Sequence, residues 1–355
     1  LGYTIILACI AFVKNRRKSA SPENKEYEPD VSILIPAYNE ADSIVAKMEN
    51  TQALDYPKEK LRIVWITDGS DDESLNLLKR YDSISVFHEP HRRGKIHAMN
   101  RGMQFINTPI VVFTDANTML NKNAIRAIVR HFADSSVGCV AGEKRIKSNA
   151  TEKAVEAGEG LYWQYESLVK KLESDSGSAV CAAGELFALR TDLYENVDED
   201  TILDDFVISL KIASKGYKIK YAPDAHGTET ASVSVKEELK RKIRIACGGW
   251  QTLFKMPHLL NVFRYGFLSL KYLSHKVLRW TIVPVSFFII FILNLVIILS
   301  APLFTNIYWY LFVFQLLFYL AVAVGSMFHN IRIRARFLFV PYYIFIMNYA
   351  VISGM

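Results

Sequence analysis

The chain has few cysteines, and they follow no pattern. Cys9, Cys139, Cys181 and Cys247 form no CxxC pair and no metal-ligand spacing. A disulfide scaffold is therefore excluded, and free thiols are expected. Also missing is a glycine-rich phosphate loop of either common kind, GxGxxG or GxxxxGK[ST]. That weakens dehydrogenase and P-loop NTPase readings. No internal repeat or low-complexity segment occurs. The C-terminal end lacks acidic charge altogether: residues 277–355 carry four Arg and no Asp or Glu. The other 38 basic residues face 36 acidic ones over 14–276, a net of only +2. Nucleic-acid binding driven by bulk charge is thereby excluded. With 51% hydrophobic residues the chain is not disordered.

What it does have is apolar length. Thr281–Ser300 and Ile307–Phe328 contain no charged residue. Each is about the ~20 residues needed to cross a bilayer core, so a purely soluble protein is excluded. Leu1–Val13 reads as the end of another span. Lys14, Arg16, Arg17 and Lys18 follow it and no cleavage site does, which argues against a signal peptide. The sequence stops inside a further apolar stretch, Phe337–Met355, and is expected to continue beyond both ends. The basic clusters Lys14–Lys18 and Arg332, Arg334, Arg336 both land on the cytoplasmic side by the positive-inside rule, with the uncharged turn Ala301–Asn306 outside. Asn294, Gln315 and Asn348, polar residues within spans, are expected to bond helix to helix. With no ionisable residue in the two central runs, a transporter or channel is disfavoured.

The middle of the chain alternates strands with helices. Apolar runs at Val31–Pro36, Leu61–Thr67, Ser83–His88 and Pro109–Thr114 are followed by helix-like stretches from Glu40, over Lys95–Phe105 and over Asn123–Phe132. Asp68-Gly69-Ser70 signals a turn and helix cap. This pattern predicts an α/β fold, a mostly parallel sheet with helices on both faces. Ligands of such sheets bind beyond the carboxyl ends of the strands. Polar residues cluster there: Asn39 and Glu40, then Asp68, then Asp115 and Asn117.

Five motifs follow in order: PAYNE at 36–40, TDGSDD at 67–72, GKIHAMNRG at 94–102, TDANT at 114–118 and LDD at 203–205. Together they resemble glycosyltransferase family 2, in its membrane-embedded branch with the cellulose, hyaluronan and poly-N-acetylglucosamine synthases. The resemblance covers about Tyr27–Leu253 and implies a GT-A nucleotide-sugar-binding domain. It also implies that Pro36, Tyr38 and Glu40 line the nucleoside and that Asp68 binds it; a capping role for Asp68 can coexist. Lys95 is a point charge suited to a diphosphate, at a helix start that itself favours an anion. His97 reads as structural or peripheral. Asp115 and Asn117 occupy the family's DxD position, where two oxygen ligands can hold Mg²⁺ or Mn²⁺ against the diphosphate. Asn117 departs from the usual second Asp but keeps a neutral oxygen.

The resemblance makes Asp204-Asp205 the catalytic pair at the start of a helix over 205–214. Asp205 is the general base, and Asp204 raises the pair's apparent pKa. It also places Gly184 and Glu185 at the acceptor site. The family's QxxRW becomes Arg241-x-x-Arg244-Ile245: Arg244 keeps the diphosphate grip, and the lost Trp puts processive polymerisation in doubt. Leu253–Arg279 resembles the family's amphipathic interface helices.

The expected organisation is a truncated span at 1–13, a linker at 14–29, a cytoplasmic transferase domain at 30–252, interface helices at 253–279 and transmembrane helices over 280–355. The expected activity is metal-assisted, inverting transfer from a nucleotide sugar, most simply a UDP-sugar, to a polysaccharide or lipid-linked glycan. The partners are that donor and acceptor, the lipid bilayer of the plasma membrane and possible export or polysaccharide-assembly proteins. A polyprenyl-phosphate glycosyltransferase is the nearest alternative. A non-catalytic membrane partner is another, although Asp68, Asp115, Asp205 and Arg244 are all present.

Overall fold

Short aliphatic runs closed by polar turns become buried strands. The computed structural model describes residues 2–17, 27–147, 154–230, 235–300, 307–327 and 336–355. After α1 (Gly2–Arg17) come β1 (Val31–Ala37), α2 (Ala41–Gln52), β2 (Leu61–Asp68), α3 (Ser74–Leu78), β3 (Ser85–Glu89), α4 (Lys95–Met103) and β4 (Ile110–Thr114). β1 pairs in parallel with β2 and with β4, and β2 with β3. The chain therefore runs outward from β1 to β3 and then returns to the other side of β1. That reversal opens a crevice beyond the carboxyl ends of β1 and β4.

The second half of the sheet is built differently. It comprises β5 (Met119–Leu120), α5 (Ala124–Val129), β6 (Val137–Lys147), α6 (Ala154–Asp175), β7 (Leu186–Arg190), α7 (Asp204–Ser214) and β8 (Lys218–Thr230). β7 is antiparallel to β4 and β6, and β5 to β8. The eight-stranded order is β3-β2-β1-β4-β7-β6-β8-β5. The sheet is thus mixed, and the parallel pattern seen in the sequence belongs to its first half.

Val31, Ile33 and Ile35 of β1 share one apolar core with Trp65 of β2, Ile44 of α2 and Ile128 of α5. Burial on both faces of β1 follows from its apolar run, interrupted only by Ser32, which is buried and bonded to Thr108. Ile33→Ala, at a fully buried site, is expected to cost about 2–5 kcal/mol. A fall in the thermal unfolding midpoint would register it, and an unchanged midpoint would mean that this core does not limit stability.

The remaining helices are α8 (Val235–Lys255), α9 (Val262–Tyr265), α10 (Phe267–Tyr272), α11 (Leu278–Trp280), α12 (Ile282–Ser300), α13 (Ile307–Met327) and α14 (Arg336–Ser353). Two compact units divide the chain: one holds α1 and the sheet, the other α8 and α11 to α14. In the second, α14 packs on α8 and α13, and α12 on α13. α12 and α13, with mean hydropathy 3.0 and 2.0, are long and apolar enough to cross a membrane. Gly2–Lys14 and Val340–Ser353 are shorter apolar helices. The side-chain amides of Asn294 and Gln315 lie 2.9 Å apart and pair α12 with α13. Residues 253–279 form short helical pieces, interrupted at Pro257 and at Gly266, whose φ of 54° leaves the helical region. Phe263 among them is fully exposed. Lys18, Arg332, Arg334 and the turn Ala301–Asn306 lie outside the described residues. None of the four cysteines is in a disulfide, and Cys139 and Cys181 are buried.

Candidate active site

The carboxyl ends of β1, β2 and β4 deliver their polar residues to the crevice because each strand stops where its apolar run stops. The turn after β1 carries Tyr38, Asn39 and Glu40, with half-buried Pro36 in the strand itself. Arg92 stacks over the Tyr38 ring at 3.8 Å. Asn39, at φ 52°, donates to Asp71 at 2.7 Å. Burial raises the Glu40 carboxyl above its ordinary range, and Asp115 and Asp72 add to that.

Asp68 ends β2 and is only 3% exposed. Its carboxylate accepts the backbone N–H of Gly94 at 2.6 Å and that of Arg93 at 3.1 Å. It thus supplies the anion at the start of α4. These bonds hold the two residues just ahead of α4, whose N-cap is Gly94, and make no side-chain cap on the helix itself. The α3 start is held by Asp72, which accepts Ser74 N–H at 2.9 Å, and its other oxygen takes Ala41 N–H of α2 at 3.2 Å. Gly69 completes the turn: a Cβ there would lie 2.4 Å from the Arg92 nitrogen.

Lys95, the first residue of α4, is the centre of the charge pattern. Its ammonium lies 2.7 Å from Asp115 Oδ1 and 3.4 Å from Asp204 Oδ2. Desolvation works against its charge, but Asp204 and Asp115 outweigh it and hold the ammonium above the usual lysine range. Asp204 and Asp205 are the first two residues of α7, where the helix dipole favours carboxylates. Burial, then Asp204, then Glu185 push the Asp205 carboxyl up to about 7, against the pull of Lys95. Gly184 leaves room beside it: a Cβ there would sit 3.5 Å from Asp205 Cγ. His97, as a structural residue would, pairs with Glu199 at 3.1 Å.

The structure therefore brings Lys95, Asp115, Asp204, Asp205, Gly184 and Glu185 together. Asn117 is exposed beside Asp115. Arg244 is an exposed residue of α8, in the second unit. Within that unit Arg241 and Lys242 pair with Glu238 at 2.9 and 3.4 Å. Part of the basic run 240–244 is thus neutralised by its own helix.

Among the described residues no group of three or more His, Cys, Asp or Glu could by itself hold a metal ion. The donor set still fits a hard cation. Mg²⁺ and Mn²⁺ suit oxygen ligands, and Mg²⁺ binds through one or two carboxylates plus substrate phosphates. Asp115 and Asn117 offer such a partial set, and the Asp115 carboxylate already pairs with a cation, Lys95.

Several charged residues nearby escape sequence reading. Lys47, fully buried on α2, donates to Thr114 Oγ1 at 3.1 Å and to the Thr118 carbonyl. Burial pushes its pKa down to about 7, against Asp115 and Glu229. The signal is a lysine on the helix face of Ile44 and Met48, the buried stripe that Thr51 continues. Lys144 and Glu229, on β6 and β8, carry none, because both lie in strand ends that read as polar.

A family model described as "Glycosyltransferase like family 2" matches residues 29–248. The poly-β-1,6-N-acetyl-D-glucosamine synthase of Staphylococcus aureus is 28% identical over 235 residues, 63% of this chain and 56% of that one. Its Staphylococcus epidermidis counterpart is 26% identical over 252 residues, 68% of this chain and 59% of that one. The chain spans less than two thirds of these relatives' length. Among solved structures, a mannosyltransferase from Pyrobaculum calidifontis, in complex with GDP-mannose and Mn²⁺, matches with a TM-score of 0.66 at 22% identity. The match covers 99% of this chain and 98% of that one. It shows that the two share a fold.

Proposed function

We propose a sugar-transfer mechanism for this chain, which belongs to glycosyltransferase-like family 2. The donor is a nucleotide sugar, most simply a UDP-sugar, and the acceptor is a hydroxyl of a polysaccharide or lipid-linked glycan. The observation that carries this is Lys95 set between Asp115 and Asp204, with Asp205 as the next carboxylate. It puts a cation for a diphosphate beside a proton acceptor for an incoming hydroxyl.

Pro36, Tyr38 and Glu40 line the nucleoside, and Asp68 borders it while fixing α4. Lys95 holds the diphosphate by charge. Asp115 and Asn117 would hold Mg²⁺ or Mn²⁺. Such an ion, when bound, neutralises charge developing on the departing nucleoside diphosphate. Asp205 accepts the acceptor hydroxyl's proton, and the freed oxygen attacks the anomeric carbon from the face opposite the leaving group. Transfer therefore inverts the anomeric centre. Gly184 and Glu185 shape the space in which the acceptor lies.

The catalytic domain occupies 30–252 on the cytoplasmic side of the plasma membrane. Interface helices over 253–279 and spans over 280–355 anchor it, with export or polysaccharide-assembly proteins as partners. One observation favours a lipid-linked acceptor, including a polyprenyl phosphate. An open, mainly apolar groove of about 460 Å³ between α12, α13 and α14, lined by Val283, Phe287, Ile290, Phe314 and Phe318 with Gln315 and Tyr319 among them, has the chemistry to take a lipid chain.

The test is release of free nucleoside diphosphate from a panel of nucleotide sugars with Mg²⁺ or Mn²⁺. Turnover of one donor, lost with chelator, is expected. A lipid-extractable product would select the lipid-linked acceptor and a long water-soluble polymer a synthase. Silence across the panel, with no nucleotide bound, would overturn the transferase reading.

A further inference from the structure

Behind the site lies a buried charge cluster of which the sugar-transfer mechanism uses only Glu185. Lys144 of β6, its side chain 2% exposed, forms ion pairs with Glu185 and with Glu229, the latter at 2.7 Å. Glu229 in turn accepts Thr118 Oγ1–H at 2.6 Å. Thr118 closes the turn that carries Asp115 and Asn117, and its carbonyl receives Lys47. At the other end Glu185 acts electrostatically on Asp205, beside which Gly184 carries no side chain. A continuous path thus runs from the Asp115 turn through Thr118, Glu229, Lys144 and Glu185 to Asp205.

We propose that Lys144 is a positioning residue that binds Glu185 and Glu229 into one unit, joining the Asp115 turn to Asp205 and tuning the base through its own charge. This deepens the transferase reading and rests on it. The groups facing Asp205 are Asp204 from its own helix, Glu185 ahead of β7, Lys95 from α4 and Cys139 from β6. Those facing Glu185 are Lys144 from β6, Lys170 from α6 and Asp205. Burial works against the Glu185 charge, but Lys144 outweighs it and holds the carboxyl at about 2. Without Lys144 a buried carboxylate beside Asp205 loses its counter-charge, and the base becomes harder to ionise.

The experiment uses the full chain in detergent and follows the pH dependence of kcat/KM, which reports the free enzyme's base. In Lys144→Met the acidic limb is expected to move up by about one pH unit or more, with donor affinity unchanged. Lys144→Arg should restore the wild-type limb. Glu229→Gln, which removes a competing carboxylate and leaves the Lys144–Glu185 pair, should move it down. Loss of turnover equal at every pH, or shifts in one direction for both variants, would overturn the proposal and leave the cluster a packing element.

A second readout needs no turnover. The wild-type pair stabilises the fold above the ordinary carboxylate pKa, and this is lost as pH falls through about 2. In Lys144→Met the Asp205–Glu185 pair, left without its counter-charge, retains one shared proton to higher pH, so that variant gains stability as pH falls. Its deficit in thermal midpoint against wild type should therefore narrow from about pH 8 to about pH 5. A constant deficit would overturn the proposal. If the wild type releases no nucleoside diphosphate while the deficit narrows, the transferase reading has failed and the charge cluster has not.

Discussion

Replacing Asp205 with asparagine is expected to abolish sugar transfer and leave donor binding intact. The amide keeps the shape of the carboxylate but cannot take the acceptor's proton. A positioned general base contributes about 10²–10⁴-fold, so kcat should fall by that order. Calorimetric titration with the nucleotide sugar should give the wild-type Kd. The pH profile carries a second signature. Burial, then Asp204 and Glu185, push the Asp205 carboxyl to about 7. Only the ionised form accepts a proton, so wild-type kcat/KM rises with pH through that region. In the asparagine variant this limb disappears. Transfer at the wild-type rate would remove Asp205 from the role of base.

Asp115→Ala is expected to eliminate turnover and the response to divalent cations together. Asp115 is the charged member of the pair placed to hold the ion, and Asn117 offers only a neutral oxygen. Charge stabilisation by a bound ion is worth several kcal/mol, and each 1.36 kcal/mol is a factor of ten in rate. A loss of about 10²-fold or more follows. Nucleoside diphosphate release, titrated with Mn²⁺ in wild type and variant, measures it. An unchanged titration would sink the metal assignment.

Much of this site is legible in the sequence because its residues are local. Asn39, Asp68 and Asp115 each follow an apolar run directly, so strand ends announce them. Asp204 and Asp205 are legible as first-turn carboxylates of an apolar-faced helix. Lys144 and Glu229 are not. Their meaning depends on β6 lying between β7 and β8, a long-range pairing that no local period encodes. The antiparallel strands are obscured for a related reason: β6 ends in GEKRIK and β8 in DAHGTET, so charge interrupts the apolar alternation. Asp68 shows a third limit. Its sequence neighbours suggest a cap for the next helix, whereas its partners lie 25 and 26 residues on, at α4.

Those bonds from Asp68 have a mechanical consequence. Backbone N–H groups bonded to a charged acceptor contribute about 1.5–3 kcal/mol each, and here they fasten the tip of β2 to the residue before Lys95. What could have been a hinge between strand and helix is a fixed joint. The distance from the sheet's edge to the Lys95 ammonium is thus set before any donor arrives. The joint makes the crevice a gauge: with the start of α4 tied to β2, the diphosphate of the proposed donor is measured against a fixed span between the proposed nucleoside pocket and cation.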